Sequence, residues 1–155
     1  MLYLPSFSEP VVAMPSILLV DDDDSVRVAI CAMLENVGHE VVMAVDGVDG
    51  LSQIERRAFD LVLCDVFMPR LDGIAMLKEF RRRDATTPVV MMSGGAPRAM
   101  RSGLQENPDH LALSLTLGAT QTVTKPFKIS QLTGLIDRVL RDSGSRRPAR
   151  VLAGA

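Results

Sequence analysis

The sequence predicts an α/β domain in which helices cover a parallel β-sheet on both faces. Three observations carry that expectation. Short strand-like runs, most of them apolar, recur along the chain, at Ile17–Val20, Glu40–Ala44, Leu61–Cys64, Val89–Met92 and Gln121–Val123. Ile17–Val20 is apolar throughout, as in a strand buried on both faces. About five helical patterns alternate with these runs, and strands alternating with helices specify a parallel sheet. The 155 residues are enough for one full core, burying roughly two-thirds of the surface an unfolded chain exposes.

Taken in order, Ile17–Val20 is the first strand and runs into Asp21-Asp22-Asp23-Asp24. Val26, Ala29, Ile30, Met33, Leu34 and Val37 follow at helical spacing and predict an inward stripe. Asp23 or Asp24 can cap that helix and complement its dipole, and Gly38 is placed for a left-handed stop. Glu40–Ala44 is the second strand, and Asp46-Gly47 opens a helix with Leu51 and Ile54 inward. Leu61–Cys64 is the third strand, ending at Asp65. Met68-Pro69 and Asp72-Gly73 make a loop ahead of a helix marked by Ile74, Leu77 and Phe80, which ends in Arg81-Arg82-Arg83.

Pro88 precedes the fourth strand, Val89–Met92, which stops at Ser93-Gly94-Gly95. Gly94, Gly95, Pro97, Gly103 and Pro108 make 94–108 an irregular excursion. Leu111, Leu113, Leu115 and Leu117 alternate as strand residues do. Pro108 before them, Gly118 after them and the need for a crossover predict a helix over 109–117 instead. Gln121–Val123 is the fifth strand. Ile129, Leu132, Leu135, Ile136, Val139 and Leu140 line the final helix, with Ser130 as its N-cap.

Composition narrows the function. With 47% hydrophobic and 23% charged residues the chain is neither disordered nor collagen-like. Aromatics are 4% with no Trp, so the core is aliphatic, drawing on nine Met. A net charge of −2 lacks the electrostatic footprint of a protein that grips phosphate backbones, and no helix-turn-helix follows, so direct DNA binding is not expected. Cys31 and Cys64 lie inside apolar runs without metal-ligand spacing and predict buried thiols in a reducing, cytoplasmic compartment. Pro5, Pro10 and Pro15 interrupt the apolar start, and Met1-Leu2-Tyr3-Leu4 lacks a basic region, so neither an export signal nor a membrane span is expected. Residues 1–15 read as a loose extension, with Met14 an alternative start, 16–142 as the domain, and 143–155 as a flexible tail. A second domain is not expected within these residues.

In an open parallel sheet, ligands bind beyond the carboxyl ends of the strands. Strand one delivers Asp21 and Asp22 there, strand three Asp65, strand four Ser93, and strand five leads to Lys125. Two carboxylates about 4 Å apart repel by roughly 4 kcal/mol at an effective dielectric of 20, and one amine cannot neutralise three of them. A small divalent cation can, and all-oxygen ligation points to Mg²⁺ over Zn²⁺. Asp21 and Asp22 are adjacent and suited to the metal, whereas Asp65 stands alone as the candidate nucleophile towards phosphorus. Ser93 and Lys125 are candidates for contacting the resulting acyl phosphate.

These stretches resemble the receiver domain of two-component response regulators over about residues 16–142. The matching segments are Ile17-Leu-Leu-Val-Asp-Asp-Asp, Asp60-Leu-Val-Leu-Cys-Asp65, Met68-Pro69 with Asp72-Gly73, Met92-Ser93-Gly94 and Thr124-Lys125-Pro126-Phe127. The resemblance implies a flavodoxin-like sheet in order 2-1-3-4-5. It implies phosphoryl transfer to Asp65 from a phosphohistidine on a sensor histidine kinase or histidine phosphotransfer protein. It further implies Mg²⁺ held by Asp21, Asp22, Asp65 and the backbone carbonyl of Phe67, with Ser93 and Lys125 on the phosphoryl group.

Two departures stand out. The family's aromatic switch position is Thr122 here, and Ser93 to Lys125 is longer than the resemblance implies, the surplus falling in 94–108. Output through 94–108 and the 109–117 helix is the resulting expectation. The whole reading is a single-domain response regulator that signals to an unknown protein target or passes phosphate onward. A phosphatase forming an aspartyl phosphate competes with it, but such hydrolases carry an acid two positions after the nucleophile, where Phe67 stands. A receiver-like interaction module that is never phosphorylated is the third reading, disfavoured by the complete acid, hydroxyl and lysine set. His39 and His110 read as ordinary surface or capping residues, Met91 and Met92 as core, and Arg81–Arg83 as a solvated helix end.

Overall fold

The computed structural model describes residues 14–94 and 109–144. Strand and helix alternate as β1 (Ser16–Val20), α1 (Asp24–Asn36), β2 (Glu40–Ala44), α2 (Gly47–Arg56), β3 (Leu61–Asp65), α3 (Gly73–Arg83), β4 (Val89–Ser93), α4 (Asp109–Thr116), β5 (Gln121–Thr124) and α5 (Ile129–Gly144). All pairings are parallel and the sheet order is β2-β1-β3-β4-β5, the flavodoxin-like order expected. The leading extension before residue 14, the excursion from 95 to 108 and the tail from 145 lie outside the described residues.

Strand periodicity divides the core into two layers. Leu18, Val20, Val62, Cys64, Val89 and Met91 face Met76, Leu77 and Phe80 of α3. Ile17, Leu19, Leu61, Leu63, Val90 and Met92 face Ile30 and Leu34 of α1 and Leu132, Ile136 and Val139 of α5. The β1 run Ile17–Val20 is entirely buried, which is why it is apolar without alternation. Each such large aliphatic side chain contributes about 1.5–3 kcal/mol on burial.

Three helices start on an aspartate cap at the same edge of the sheet. Asp23 accepts from the Val26 N–H at 3.0 Å, Asp46 from Asp49 at 2.9 Å and Asp72 from Ala75 at 2.8 Å. Gly38 (φ 94°) and Gly118 (φ 104°) close α1 and α4 in the left-handed conformation. Among the described residues no helix is long and apolar enough to cross a membrane. Both cysteines are free and buried, and Met91 and Met92 are core residues, as expected.

Several expectations need correction. The buried stripe of α1 is Arg27, Ile30, Cys31 and Leu34, with Val26 and Met33 half-buried and Ala29 and Val37 exposed. The stripe is rotated because Arg27 buries its stem and spends its charge on hydrogen bonds. α5 begins at Ile129, so Ser130 lies inside the first turn and is not the N-cap, and Ile129 itself is exposed. In α4 the inward residue is Ser114, fully buried with its hydroxyl donating to the carbonyls of His110 and Leu111, while Leu113 and Leu115 face outward. Of the Arg81–Arg83 helix end, Arg82 and Arg83 are exposed as expected, but Arg81 is half-buried, its guanidinium donating to the carbonyls of Gly118, Asp84 and Thr87 at 2.8, 3.1 and 2.7 Å. His39 is buried as well, its Nε2 3.5 Å from Asp137 Oδ1 and neither ring nitrogen hydrogen-bonded.

Candidate functional site

Parallel strands all end on the same edge, so their last residues share one rim. β1 leads into Asp21, β3 ends in Asp65, β4 in Ser93, and β5 leads into Lys125. Oxygens of Asp21, Asp22 and Asp65 lie within 4.8 Å of one another. Asp21 is fully buried, Asp65 is buried and Asp22 is exposed, so the cluster has a deep wall and an open side.

Lys125 reaches into this cluster from β5, its Nζ donating to Asp21 Oδ2 at 2.7 Å and standing 3.6 Å from Asp65 Oδ2. The Lys125 N–H donates to the Ser93 carbonyl at 2.6 Å, which ties the lysine segment to the end of β4. Gly94 has no room for a Cβ, which would stand 2.2 Å from the Lys125 Cβ. Ser93 is half-buried at the strand end, and Thr122 is half-buried one pairing inward of Val123, opposite Met91.

The electrostatics follow from one ammonium among three acids. The Asp65 carboxyl stands at about 6: burial raises it most, Lys125 pulls it down, and Asp21 and Asp22 push it up. Asp22 is raised by desolvation first, opposed by a backbone hydrogen bond, with Asp21 adding to the rise. Burial alone would lower Lys125, but its hydrogen bond to Asp21 and the charge of Asp65 win, and its value is raised. The cluster is short of positive charge. Its all-oxygen donor set fits a hard divalent cation, and the Phe67 carbonyl two residues beyond Asp65 receives no hydrogen bond among the described residues.

Three arginine and aspartate contacts around the rim were not legible in the sequence. Arg27 donates through Nη1 to the Asp21 carbonyl at 2.7 Å and pairs with the Asp24 carboxylate, fixing the turn from β1 into α1. Its spacing to Ile30, Cys31 and Leu34 was the available sign. Arg70 pairs with the buried carboxylate of Asp46, 24 positions earlier, and nothing local announces it. On the α4 side, the rings of Phe67 and His110 meet edge to face at 5.3 Å. His110 is half-buried and so is more than a surface cap.

Comparison with known proteins gives one family: residues 17–137 match the response regulator receiver domain. The chain is 37% identical over 127 residues to the transcriptional activator protein PfeR of Pseudomonas aeruginosa, covering 82% of this chain and 38% of that protein. It is 31% identical over 133 residues to the alkaline phosphatase synthesis transcriptional regulatory protein PhoP of Bacillus subtilis, covering 86% of this chain and 51% of the relative. It therefore spans about half or less of these two relatives. Among solved structures, the receiver domain of NtrX from Brucella abortus superposes with a TM-score of 0.71 at 33% identity, covering 81% of this chain and 98% of that one. A CheY-like receiver domain protein from Methanospirillum hungatei gives 0.77 at 26% identity, covering 87% and 100%.

Proposed function

The chain belongs to the response regulator receiver domain family, and from that premise we propose that it is a Mg²⁺-dependent phosphoacceptor switch with Asp65 as the acceptor. Receiver domains are phosphoacceptor switches that bind Mg²⁺ at an acidic pocket and take phosphate from histidine kinases or phosphotransfer proteins. The observation that carries the residue assignment is the meeting of Asp21, Asp22, Asp65 and Lys125, from the ends of three strands, in one partly buried cluster. In this reading Asp21, Asp22, Asp65 and the Phe67 carbonyl hold the cation. When bound, Mg²⁺ supplies the positive charge that makes three carboxylates tenable and binds incoming phosphoryl oxygens.

The protein's own groups then have distinct tasks. A carboxylate oxygen of Asp65 forms the bond to phosphorus while the phosphorus–nitrogen bond to the donor imidazole breaks. Lys125, already 3.6 Å from Asp65, pairs with a phosphoryl oxygen, and the Ser93 hydroxyl donates to another. Phe67 offers no acid or base for hydrolysis, which favours a lasting acyl phosphate over phosphatase turnover. Asp65→Ala should abolish labelling by acetyl phosphate or by a phosphorylated kinase. Labelling that persists would assign the nucleophile elsewhere.

Residues 16–142 are the receiver in this reading, and we read the output of these 155 residues as contact with a protein target or onward phosphotransfer, without DNA contact of their own. Their net charge of −2 supports that. The two buried free thiols are in keeping with a cytoplasmic setting. With Thr122 at the switch position, the Phe67–His110 ring contact favours α4 as the element that reads the site. Amide exchange with and without beryllofluoride tests this: protection should change across 94–117, and unchanged protection there would defeat it.

A further inference from the structure

Among the described residues Arg70 is the one non-glycine with a left-handed backbone, at φ 64°. That conformation favours glycine, and an arginine in it needs a compensating contact. The contact is with Asp46: Arg70 Nε donates to Asp46 Oδ2 at 2.6 Å and Nη2 reaches the same oxygen. The Asp46 side chain is 5% exposed, and its Oδ1 is occupied in capping α2 through the Asp49 N–H. A buried carboxylate is strongly destabilising without a cation, so Arg70 is the partner that makes Asp46 tenable. Burial opposes the charge on Asp46, but the Asp49 and Arg70 hydrogen bonds prevail and hold its carboxyl below the ordinary value.

One residue further on, the Gly47 N–H donates to the Leu71 carbonyl at 3.3 Å, and a Cβ at Gly47 would stand 2.5 Å from that oxygen. The β3–α3 loop is thus fastened to the start of α2 at two consecutive residues. Its other end is fastened at Val66, whose N–H donates to the Met92 carbonyl at 2.9 Å and whose carbonyl accepts from Gly73 at 2.8 Å. Phe67 lies between these fastenings, and its carbonyl makes no hydrogen bond of its own among the described residues. Its backbone is placed by what holds the loop at either side, and its ring by the contact with His110.

We propose that Arg70 and Asp46 are a positioning pair that sets the cation affinity of the acidic pocket by fixing where the Phe67 carbonyl stands. The pair touches neither phosphorus nor metal. This rests on the reading of Phe67 as a metal ligand, and it predicts dependence on a contact that includes none of the three carboxylates. Support from outside the ligand shell typically changes metal affinity by about 10–100-fold.

Mg²⁺ titration calorimetry on the full chain tests it, with thermal melts in EDTA alongside. Asp46→Asn keeps an N-cap side chain but loses the charge, and Arg70→Gly suits the backbone but loses the guanidinium. Each should weaken Mg²⁺ binding about tenfold, the double variant no more than the worse single one, and Arg70→Lys should recover part of the loss. A purely structural pair would lower the melting temperature and leave Mg²⁺ affinity as in the parent; that result overturns the proposal while leaving the pocket intact. A parent protein that binds no Mg²⁺ would overturn the pocket reading, and this one with it.

Discussion

Lys125 carries the electrostatics of the metal-free site. Its Nζ is 2.7 Å from an oxygen of the fully buried Asp21 and 3.6 Å from Asp65. Lys125→Ala should cost about 3–5 kcal/mol in denaturant melts in EDTA, because it strands a buried carboxylate. Saturating Mg²⁺ should restore much of that loss, and equal melts of variant and parent in EDTA would contradict it. Asp65 gives the pH dependence its sign. Its native value of about 6 stands above the ordinary 3.8, so in that window the folded state holds the proton more often than the unfolded chain. Stability without metal should therefore be highest below pH 4 as far as Asp65 is concerned, and fall as pH rises through 6, by about 3 kcal/mol in total. Urea midpoints from pH 4 to 7 in EDTA check this, and Asp65→Asn should flatten the slope. The five proposed site positions, Asp21, Asp22, Asp65, Ser93 and Lys125, drew notice in the sequence because each stands at or just beyond the end of an expected strand. Arg27, Arg70 and Asp46 did not: an arginine near a helix start looks solvated until the fold supplies the carbonyl or carboxylate it meets.

At the scale of elements, the join between β3 and α3 leaves least room. A Cβ on Gly73 would stand 2.1 Å from the Asp65 carbonyl oxygen, so α3 starts directly against the strand that ends in Asp65. Gly73→Ala should destabilise by about 3 kcal/mol, the upper part of the overpacking range, and weaken Mg²⁺ binding as Asp65 is displaced. Chemical denaturation together with Mg²⁺ titration would check both. Existence and order of the elements were readable from apolar runs and aspartate caps, but rotation about a helix axis was not. In α1 a buried arginine replaced an apolar residue in the inward stripe. In α5 the helix began one residue before its expected cap, leaving Ile129 outside. In α4 the alternating leucines gave no helical face because a serine that satisfies its hydroxyl on its own backbone faces the sheet.

For the whole molecule, the proposed Mg²⁺ site would make folding and cation binding one equilibrium. Mg²⁺ at about 100 times its dissociation constant should add about 2.7 kcal/mol, a rise in melting temperature of about 5–10 °C at this size. Asp22 is exposed, so Asp22→Asn should remove that rise while leaving the EDTA melt nearly unchanged. Equal Mg²⁺-induced rises in parent and variant would remove Asp22 from the ligand set. The sheet order was legible through family resemblance, because apolar runs define strands without saying which lie side by side. The two thiols have a practical consequence. Cys31 is pushed up by burial and then by Glu35, Cys64 lies far above its ordinary value under α3 against Met76, and the chain has no other cysteine. Alkylating reagents should thus find a blank exterior on the intact fold. A lone cysteine installed at an outward position such as Leu115 could take a dye without prior removal of the natural pair. Those two would then act as a clock, reacting only in molecules that have opened.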